Sequence, residues 1–583
     1  MGLLRIQEVW SMAFSEACRE RILSEEYMDI ITAERWIPQF TSDQMARFCS
    51  QKVSEGISVL YLNRNEAPAL NSERYIYENI PKVYTALSVT ALEESGILQV
   101  ANQPFLNLEG QGVILAFADT GIDYTHPAFL DENGHSRILR LWDQTIQTGI
   151  PPEGMDYGTE FTREELNEAL ESENPRQVVA SVDVSGHGTY VAGVAAGSKR
   201  TVEGQRYQGA APLADIVMVK LKPAKQYLRE YYHIPERVQV YQENDIMLAM
   251  RYLINLQQQF DRPMVVCFTL GSNMGGHDGQ SVLGFMLDQI ARGYHTALVT
   301  AAGNEAARSH HFYGTAYSGD VPATVELQVA EEEEGFVMEI WPDESELVTV
   351  AVISPSGQRT ETFATRLGVR SHLQFLLEGT LLEVNFWSEA SGNGNQIITL
   401  RFSKPAAGLW RILVYSLLQY EDGFHMWLPS EGLIQPGTIF LKPDVDVTLT
   451  DPSTGEHLIT AGAYNHITNS IYLQSGRGNT RNGNQQPTLA APGVAIDGPS
   501  PGSVSGYEQR TGTSAAAAIT AGAAASILTW GAVKQNLPNI TGATVKFFLT
   551  IGAQRQGTLT YPNKEWGYGS LDLYHLFEVL AKL

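Results

Sequence analysis

The sequence contains few cysteines and comparatively few basic residues, and each shortage narrows what the protein can be. Only 3 of the 583 residues are cysteines, so a disulfide framework cannot hold the fold, and no pair of them lies at metal-site spacing. There are 40 Lys and Arg against 65 Asp and Glu, a net charge of −25. A surface this acidic repels phosphate backbones and anionic lipids, which argues against binding to nucleic acids or membrane surfaces.

Long hydrophobic runs are also missing. A membrane span needs roughly 18 consecutive apolar residues, and no stretch approaches that length. A signal peptide would be apolar near the N-terminus, where this chain carries Arg5 and Glu8. We therefore expect neither a membrane span nor a conventional secretory signal. What remains is a globular composition, 43% hydrophobic and 18% charged, in a chain long enough for roughly two to four domains.

The hydrophobic patterns divide the chain into four segments. Residues 1–87 alternate predicted strands, EEYMDIITA and GISVLYLN, with a predicted helix, FTSDQMARFCSQ, which indicates an α+β unit. Residues 88–312 and 458–583 alternate apolar strands with amphipathic helices, which predicts an α/β domain with a parallel sheet covered on both faces. Residues 313–457 carry short strands between turn signals and predict an inserted all-β sandwich or jelly roll. This segment, with 7 basic and 21 acidic residues, holds most of the negative charge.

Three motifs place reactive side chains at strand ends and helix starts. Asp119 directly follows the apolar strand in GVILAFADTG, His187 lies between glycines in SGHGTYVAG, and Ser514 follows a glycine-led turn in GTSAAAAITAG. A serine hydroxyl becomes a nucleophile when an imidazole removes its proton, and a carboxylate holds that imidazole in the right tautomer. Each motif alone is a weak signal. Together they predict a catalytic serine site.

An acyl-transfer site also needs donors for the oxyanion that forms during attack. Ser514 lies at a predicted helix N-terminus, so its backbone N–H can face that oxyanion. The side-chain amide of Asn304, which ends VTAAGN after a predicted strand, is the candidate second donor. Asp123 competes with Asp119 for the carboxylate role. We prefer Asp119 because it directly follows the strand, whereas Asp123 falls in the turn region.

The chain order Asp, His, Asn, Ser in these contexts resembles that of the subtilisin-like serine proteases, or subtilases, from about residue 105 to 583 apart from the insert. TLGSN resembles the family's substrate-binding strand, and LAAPG and WGYGSLDLYHLF also match the family pattern. The resemblance implies a parallel sheet flanked by helices and endopeptidase activity. Carried over by position, the family's residues are the orienting carboxylate Asp119, the base His187, the nucleophile Ser514, the oxyanion donor Asn304, and the substrate-binding residues Thr269, Leu270 and Gly271.

The helix after the nucleophile departs from this family. Subtilases usually have a bulky residue right after the serine and a proline three residues further on, where this chain has Ala515 and Ala518. Because alanine is the best helix former, the helix should still form. The departure is the sequence support for an alternative function, a catalytically weak or inactive regulator on a protease fold. A carbohydrate-binding role for the insert is a third hypothesis, without a recognised aromatic platform.

The layout, with an N-terminal prodomain and a β-sandwich between Asn304 and Ser514, resembles the Csp germination proteases of clostridia and their relatives in gut bacteria. In that family a jelly roll packs on the protease, and the substrate is the precursor of a spore cortex-degrading enzyme. Some members have lost triad residues, whereas this chain has all three. The resemblance implies a role in germination or as a gut-bacterial protease. The location stays unknown, and the missing conventional signal peptide fits a spore-associated, cytoplasmic or non-classically released bacterial protein.

Subtilase prodomains resemble folding templates whose last strand occupies the active site as the first cleavage product. By that analogy the extended segment PKVYTALSVT is the autocleavage region, and we expect the cut after Ala86 or Leu87. An ordinary interdomain linker is the alternative. The partners implied are a protein or peptide substrate and the chain's own prodomain.

The remaining candidates are interpreted as structural. His126 reads as a turn residue, and His310 and His311 read as a solvated loop rather than as an edge of the substrate cleft. Cys267, in MVVCFTLG, reads as a buried strand residue. The chemistry requires no cofactor. Subtilases often bind structural calcium through loop oxygens, but residues 131–134 (DENG) offer no complete ligand run, so calcium stays unassigned.

Overall fold

The N-terminal unit is a small antiparallel sheet with a helix against it. The computed structural model describes residues 16–33, 49–54, 56–65, 67, 70–72, 75–86, 95–103, 105–202, 205–316, 321–343, 346–363, 370–388, 394–418, 423–503 and 506–582. The elements of the N-terminal unit are α1 (Glu16–Leu23), β1 (Tyr27–Ala33), β2 (Cys49–Ser54), β3 (Ile57–Asn63), a 3₁₀ turn (Tyr77–Asn79) and β4 (Val83–Ala86). The sheet order is β1-β3-β2. Both predicted strands are confirmed, but residues 49–51, predicted as the end of a helix, belong to β2; residues 40–48 of that prediction lie outside the described residues.

The α/β domain is built from two separate stretches of chain. The strands of its first part are β5 (Ile114–Asp119), β6 (Ile138–Asp143), β7 (Thr159–Thr162), β8 (Arg200–Val202), β9 (Gln205–Tyr207), β10 (Asp215–Lys220), β11 (Tyr241–Gln242), β12 (Met264–Phe268), β13 (Leu270–Gly271) and β14 (Thr296–Ala301). Its helices are α2 (Ile97–Asn102), α3 (Arg163–Glu171), α4 (Pro175–Val178), α5 (His187–Ala196), α6 (Gln226–Tyr232), α7 (Glu243–Phe260) and α8 (Val282–Ala291), with a 3₁₀ turn at Pro127–Phe129.

The inserted β unit follows, and then the α/β domain resumes. The strands of the inserted β unit are β15 (His311–Thr315), β16 (Ala323–Val329), β17 (Gly335–Pro342), β18 (Val348–Ile353), β19 (Arg370–Gln374), β20 (Leu381–Ser388), β21 (Gln396–Ser403), β22 (Gly408–Ser416), β23 (Gly423–Trp427) and β24 (Ile439–Phe440). The second part of the α/β domain contains β25 (Ile459–Asn465), β26 (Ser470–Ile471), β27 (Leu489–Pro492), β28 (Ile496–Pro499), β29 (Tyr507–Arg510), α9 (Thr513–Leu528), a π turn (Thr529–Val533), α10 (Gly542–Gly552) and α11 (Leu573–Leu580).

The central sheet has the order β26-β25-β14-β12-β5-β10-β6-β7, with β27 beside β25. Its strands run parallel except β7 and β26, which are antiparallel at the edges. Successive residues of β5 enter opposite cores: Leu115 and Phe117 join the one that contains α5 and α9, and Ile114 and Ala116 join the one that contains α7 and α8. Because both faces are covered, the strand reads as an unbroken apolar run. The predicted α/β class is confirmed.

The inserted β unit is a sandwich of antiparallel sheets around its own core. One sheet has the order β15-β23-β17-β21-β20-β19 and the other β18-β22-β16-β24. Alternate side chains such as Val325 and Ile412 from one sheet meet Met338 and Leu400 from the other, since strand side chains alternate between faces. The predicted all-β insertion is confirmed, and its jelly-roll topology stays a prediction. Residues 441–457 belong to neither sheet.

One apolar cluster joins all three units. It includes Ile30 from the N-terminal unit, Leu228 from α6 and Trp341 from the inserted β unit, all buried. Among the described residues, the helical segment Thr513–Val533 is long and apolar enough to cross a membrane, contrary to the expectation that no such stretch exists. Its most apolar window is 89% buried inside the protein, as a core helix requires.

Candidate active site

The strand ends and helix starts named above meet at one edge of the central sheet. Asp119 is the last residue of β5, Thr269 directly follows β12, His187 is the first residue of α5, and Ser514 is the second residue of α9. The structure therefore brings the three predicted triad residues together. In parallel α/β sheets this edge is where polar groups collect, because every strand ends there.

Asp119 and His187 form the first contact of the site. His187 Nδ1 lies 2.7 Å from Asp119 Oδ1, and both residues are buried. Burial raises the pKa of Asp119, but the His187 charge and hydrogen bonds from His187, Thr120 and Thr269 outweigh it and hold that pKa below its ordinary value. The carboxylate is therefore ionised at neutral pH. It places the imidazole proton on Nδ1 and leaves Nε2 as an acceptor.

Two glycines flank His187, and the structure shows why neither is replaceable by a larger residue. Gly186 has a φ of +76°, a left-handed conformation that favours glycine. A Cβ at Gly188 would lie 2.2 Å from the carbonyl oxygen of Gly121 and 3.1 Å from Cβ of Asp119. The missing side chain at Gly188 thus lets the first turn of α5 pack directly against the end of β5.

The hydroxyl of Ser514 lies on the other side of the imidazole. Its Oγ is 3.2 Å from His187 Nε2 and 3.5 Å from the carbonyl oxygen of Thr269. The expectation that α9 forms despite Ala515 and Ala518 is confirmed, and every residue of this helix is buried. The hydroxyl thus has a proton acceptor within reach and a fixed position at a helix N-terminus.

Asn304 lies beside the nucleophile with its amide group held in one orientation. Its Oδ1 accepts from the backbone N–H of Thr513 at 3.1 Å and from the Thr513 hydroxyl at 3.3 Å. The Thr513 hydroxyl in turn accepts from the backbone N–H of Gly303. Because the oxygen is engaged, the NH₂ group of Asn304 remains as the donor. The positioning role of Thr513 was not predicted, although it directly precedes Ser514 in the motif.

The predicted substrate strand is paired with the chain's own N-terminal unit. β4 lies between β11 and β13 in an antiparallel sheet, with Thr85 opposite Gly271 and Ala86 opposite Leu270. Leu87 lies outside the described residues. This arrangement shows that β13 can accept an added strand, which is how many extended peptides bind.

The Thr269 side chain makes a contact that the sequence did not predict. Its hydroxyl donates to Asp119 Oδ2 at 2.9 Å. The residue therefore supports the carboxylate through its side chain, while its backbone carbonyl faces Ser514. In the sequence, Thr269 is the first residue of TLGSN, and this motif predicted substrate binding but not the contact with Asp119.

The competing carboxylate, Asp123, has different neighbours. Its Oδ1 accepts from Arg176 at 2.7 Å and its Oδ2 from the backbone N–H of Gly502 at 2.8 Å. Among the described contacts none joins it to His187. Asp123 therefore connects loop segments, whereas Asp119 contacts the imidazole.

Of the three other histidines interpreted from sequence, the interpretation of His126 is confirmed and those of His310 and His311 are wrong. His126 lies in a turn, as predicted, where its Nδ1 accepts from the backbone N–H of Ala128. His310 and His311 are not in a solvated loop: they are 4% and 1% exposed. His310 Nδ1 lies 2.8 Å from Glu305 Oε2, and His311 begins β15. His311 was misread because its partners, Asp444 and His425, come from distant parts of the chain, and His310 because the local pattern does not show that its contact with Glu305 is buried.

Within the described ranges, no group of three or more His, Cys, Asp or Glu side chains is arranged to hold a metal ion. Calcium therefore has no assigned site. Cys267 is a buried free thiol in β12, which confirms its interpretation as a core residue, and burial raises its pKa.

Known proteins are similar to this chain in sequence and in fold. The model of the Subtilase family matches residues 110–397 and 441–569. The solved structure of the Clostridium perfringens CspB protease is similar with a TM-score of 0.73 and 30% sequence identity, over 84% of this chain and 96% of that one. Subtilisin-like protease SBT2.1 of Arabidopsis thaliana is 37% identical over 126 residues, 19% of this chain and only 15% of that protein's length. The chain belongs to the subtilase family of subtilisin-like serine proteases.

Proposed function

We propose that this protein cleaves peptide bonds through an acyl-enzyme, with Ser514 as nucleophile, His187 as general base and acid, and Asp119 as the orienting carboxylate. The observation that carries the proposal is the position of one imidazole, 2.7 Å from a carboxylate through Nδ1 and 3.2 Å from a hydroxyl through Nε2. Nucleophile, base and orienting group within hydrogen-bond reach are what acyl transfer by a serine requires.

The reaction follows from these contacts. His187 Nε2 takes the Ser514 proton as Oγ attacks the carbonyl carbon, and Asp119 stabilises the imidazolium that forms. The oxyanion accepts from the Asn304 NH₂ group and from the backbone N–H of Ser514. The imidazolium then protonates the leaving amine. Water, activated by the same imidazole, releases the acyl group and restores the hydroxyl.

The first substrate in this proposal is the chain itself. Antiparallel pairing of Thr85 with Gly271 and of Ala86 with Leu270 directs β4 toward Thr269, since each step along β4 moves one residue back along β13. The carbonyl oxygen of Thr269 lies 3.5 Å from Ser514 Oγ. Of the two expected cuts, this register favours the bond after Leu87.

Contacts outside the cleft also hold the N-terminal unit against the α/β domain and the inserted β unit. Asp29 is fully buried and accepts from Lys225 and Gln242 of the α/β domain, each at 2.5 Å. The Tyr77 hydroxyl donates to Glu339 of the inserted β unit at 2.7 Å. Breaking such buried polar pairs is costly, so we expect the cleaved unit to stay bound as the prodomain.

Intact mass of the wild type beside Ser514→Ala tests the nucleophile and the cut together. We expect the wild type to appear as fragments 1–87 and 88–583 that co-elute in gel filtration, and Ser514→Ala to stay whole. Loss of the hydroxyl should lower the rate about 10⁶-fold. A fluorophosphonate probe should label only a protein with a competent serine. A whole, unlabelled wild type would favour the alternative, a non-catalytic regulator.

The physiological substrate is proposed from the resemblance to the Csp proteases. We propose the precursor of a spore cortex-degrading hydrolase, with a general role as a gut-bacterial protease as the second candidate. The CspB protease structure, similar over most of the chain, supports this choice. Incubating the purified precursor with wild type and with Ser514→Ala should give one cut with the wild type alone. Many cuts in unrelated proteins would favour the second candidate.

A further inference from the structure

A cavity of about 790 Å³ lies where the inserted β unit meets the α/β domain. Its walls come from β15 and β23 on one side and from the loops around Asp444 and Arg481 on the other. None of the triad residues lines it, so it is separate from the site described above. Its volume is in the range of small-molecule binding sites.

Stacked rings form the floor of the cavity. The ring of His425 is 5.1 Å from that of Trp427, with 6° between their planes, and 5.1 Å from that of His311, with 15° between planes. His311 and His425 are 1% and 5% exposed. The stack fixes both imidazoles in place, so their nitrogen atoms point in set directions.

A chain of hydrogen bonds determines which of these nitrogens carry protons. His311 Nδ1 faces the backbone carbonyl of Asp444 at 3.3 Å, and His311 Nε2 is 2.9 Å from His425 Nδ1. Burial lowers the pKa of His311 to about 3, and burial together with the repulsion that would arise if both rings were charged lowers the pKa of His425 well below its ordinary value. Both rings are therefore neutral. His311 donates to the carbonyl, His425 donates to His311, and His425 Nε2 is left as a bare acceptor.

That acceptor faces another acceptor. His425 Nε2 is 3.8 Å from Asp343 Oδ1, too far for a hydrogen bond, and in the described part of the chain no donor reaches it. The cations of the cavity wall have other partners: Arg481 is 2.5 Å from Asp278, and Lys564 is 2.6 Å from Asp446. His425 lines the cavity, so a donor that enters the cavity can reach this nitrogen and form the hydrogen bond that the described part of the chain does not supply.

We propose that this cavity binds a small organic cation through a primary ammonium group, which donates to His425 Nε2 and to the Asp343 carboxylate. An ammonium group offers three donors and a positive charge, which suits an imidazole acceptor and a carboxylate side by side. Asp444 supplies a further carboxylate on the cavity wall. The proposal does not depend on the chemistry proposed for Ser514.

Isothermal titration calorimetry of the full chain tests this with 1,5-diaminopentane hydrochloride as the probe. We expect saturable binding at one site and none for pentane-1,5-diol, which has the same length without the charge. Asp343→Asn and His425→Phe should each weaken the affinity at least about tenfold, since each removes an acceptor for the ammonium group. Glu164→Gln, the same carboxylate-to-amide change at an exposed position of α3, should leave it unchanged.

Several results would overturn the proposal: no binding of the diamine, equal binding of the diol, or an affinity that neither cavity variant changes. Binding of zinc chloride without binding of the diamine would assign the cavity to a metal ion instead. His425→Phe keeps a ring in the stack, and circular dichroism checks that it folds. Asp343, 31% exposed at the rim, provides a second variant that does not disturb the buried stack.

Discussion

His187 and His425 are both almost fully buried, yet the molecule uses them differently. His187 Nδ1 faces the carboxylate of Asp119, whereas His425 Nδ1 faces the neutral ring of His311. In both cases the Nδ1 partner leaves Nε2 as an acceptor. His187 Nε2 faces the hydroxyl of Ser514, a donor from the chain itself, but His425 Nε2 faces the carboxylate of Asp343.

The two imidazoles therefore differ in the group that Nε2 faces, and this difference separates the two roles proposed for them. In the active site the chain supplies the donor, and a proton can move between the two groups. In the cavity the donor is missing, so the same acceptor is available to a ligand. The carboxylate on Nδ1 adds a second feature to His187, because in the proposed mechanism it stabilises the imidazolium that proton transfer creates.

Asp119→Asn should have the largest effect on activity. An amide at this position allows the other imidazole tautomer and removes the charge opposite the imidazolium, so we expect kcat to fall about 10⁴-fold. Steady-state kinetics with a peptide substrate measures it. Asp123→Asn is the matched control and should change kcat less than about tenfold, since Asp123 contacts Arg176. An equal loss in both variants would contradict the assignment of Asp119.

Asn304→Leu tests the donor on the oxyanion side of the site. Leucine keeps the approximate size but has no N–H, so kcat should fall about 10²–10³-fold while KM changes little. The same kinetic assay measures it. A rise in KM with unchanged kcat would mean that Asn304 binds substrate rather than the oxyanion.

Glu305→Gln tests the contact of a third histidine, His310, whose Nδ1 also faces a carboxylate. Burial raises the pKa of Glu305, but the hydrogen bond and charge of His310 and the N–H of Glu431 lower it below its ordinary value. The ionised carboxylate therefore stabilises the fold above the unfolded-state pKa, about 4.3, and this contribution is lost as the pH falls through the lower folded-state pKa. Calorimetry should show a lower Tm for the variant at pH 7 and a smaller difference near pH 3. A difference that does not change with pH would rule out this linkage.

Thr269→Val should have the smallest effect on activity. Valine keeps the shape of threonine but cannot donate to Asp119 Oδ2, and the donors from His187 and Thr120 remain. We expect kcat to fall about tenfold. The activity should recover in Thr269→Ser, which restores a hydroxyl. No recovery would assign the loss to packing rather than to the hydrogen bond.

Much of the fold was predictable because it depends on local patterns. The apolar runs of β5, β10 and β12 are continuous since both faces of their sheet are covered, and the short alternating runs of the inserted β unit indicated a sandwich. The predicted helix over residues 40–51 failed at its end, because residues 49–51 pair with β3 instead. A helical pattern in sequence cannot show that a neighbouring strand is available.

The candidate site residues were predictable where the position of each one can be read from the motif around it. Asp119, His187, Asn304 and Ser514 each follow a strand or start a helix, and those positions can be read locally. The support from Thr513 and from the Thr269 side chain could not, since each depends on a residue far away in the chain. His311 was misread for the same reason, since its partners are Asp444 and His425.

The sequence by itself determined the α/β class, the β insertion, the motifs of the candidate triad and the acidity of the surface, because composition and short-range periodicity carry that information. Only the tertiary structure decided which carboxylate meets His187, how β4 is registered against β13, and that His425 and Asp343 face one another across a cavity. These are contacts between distant segments. Their distances and directions follow from how the sheets and helices pack, which no local pattern specifies.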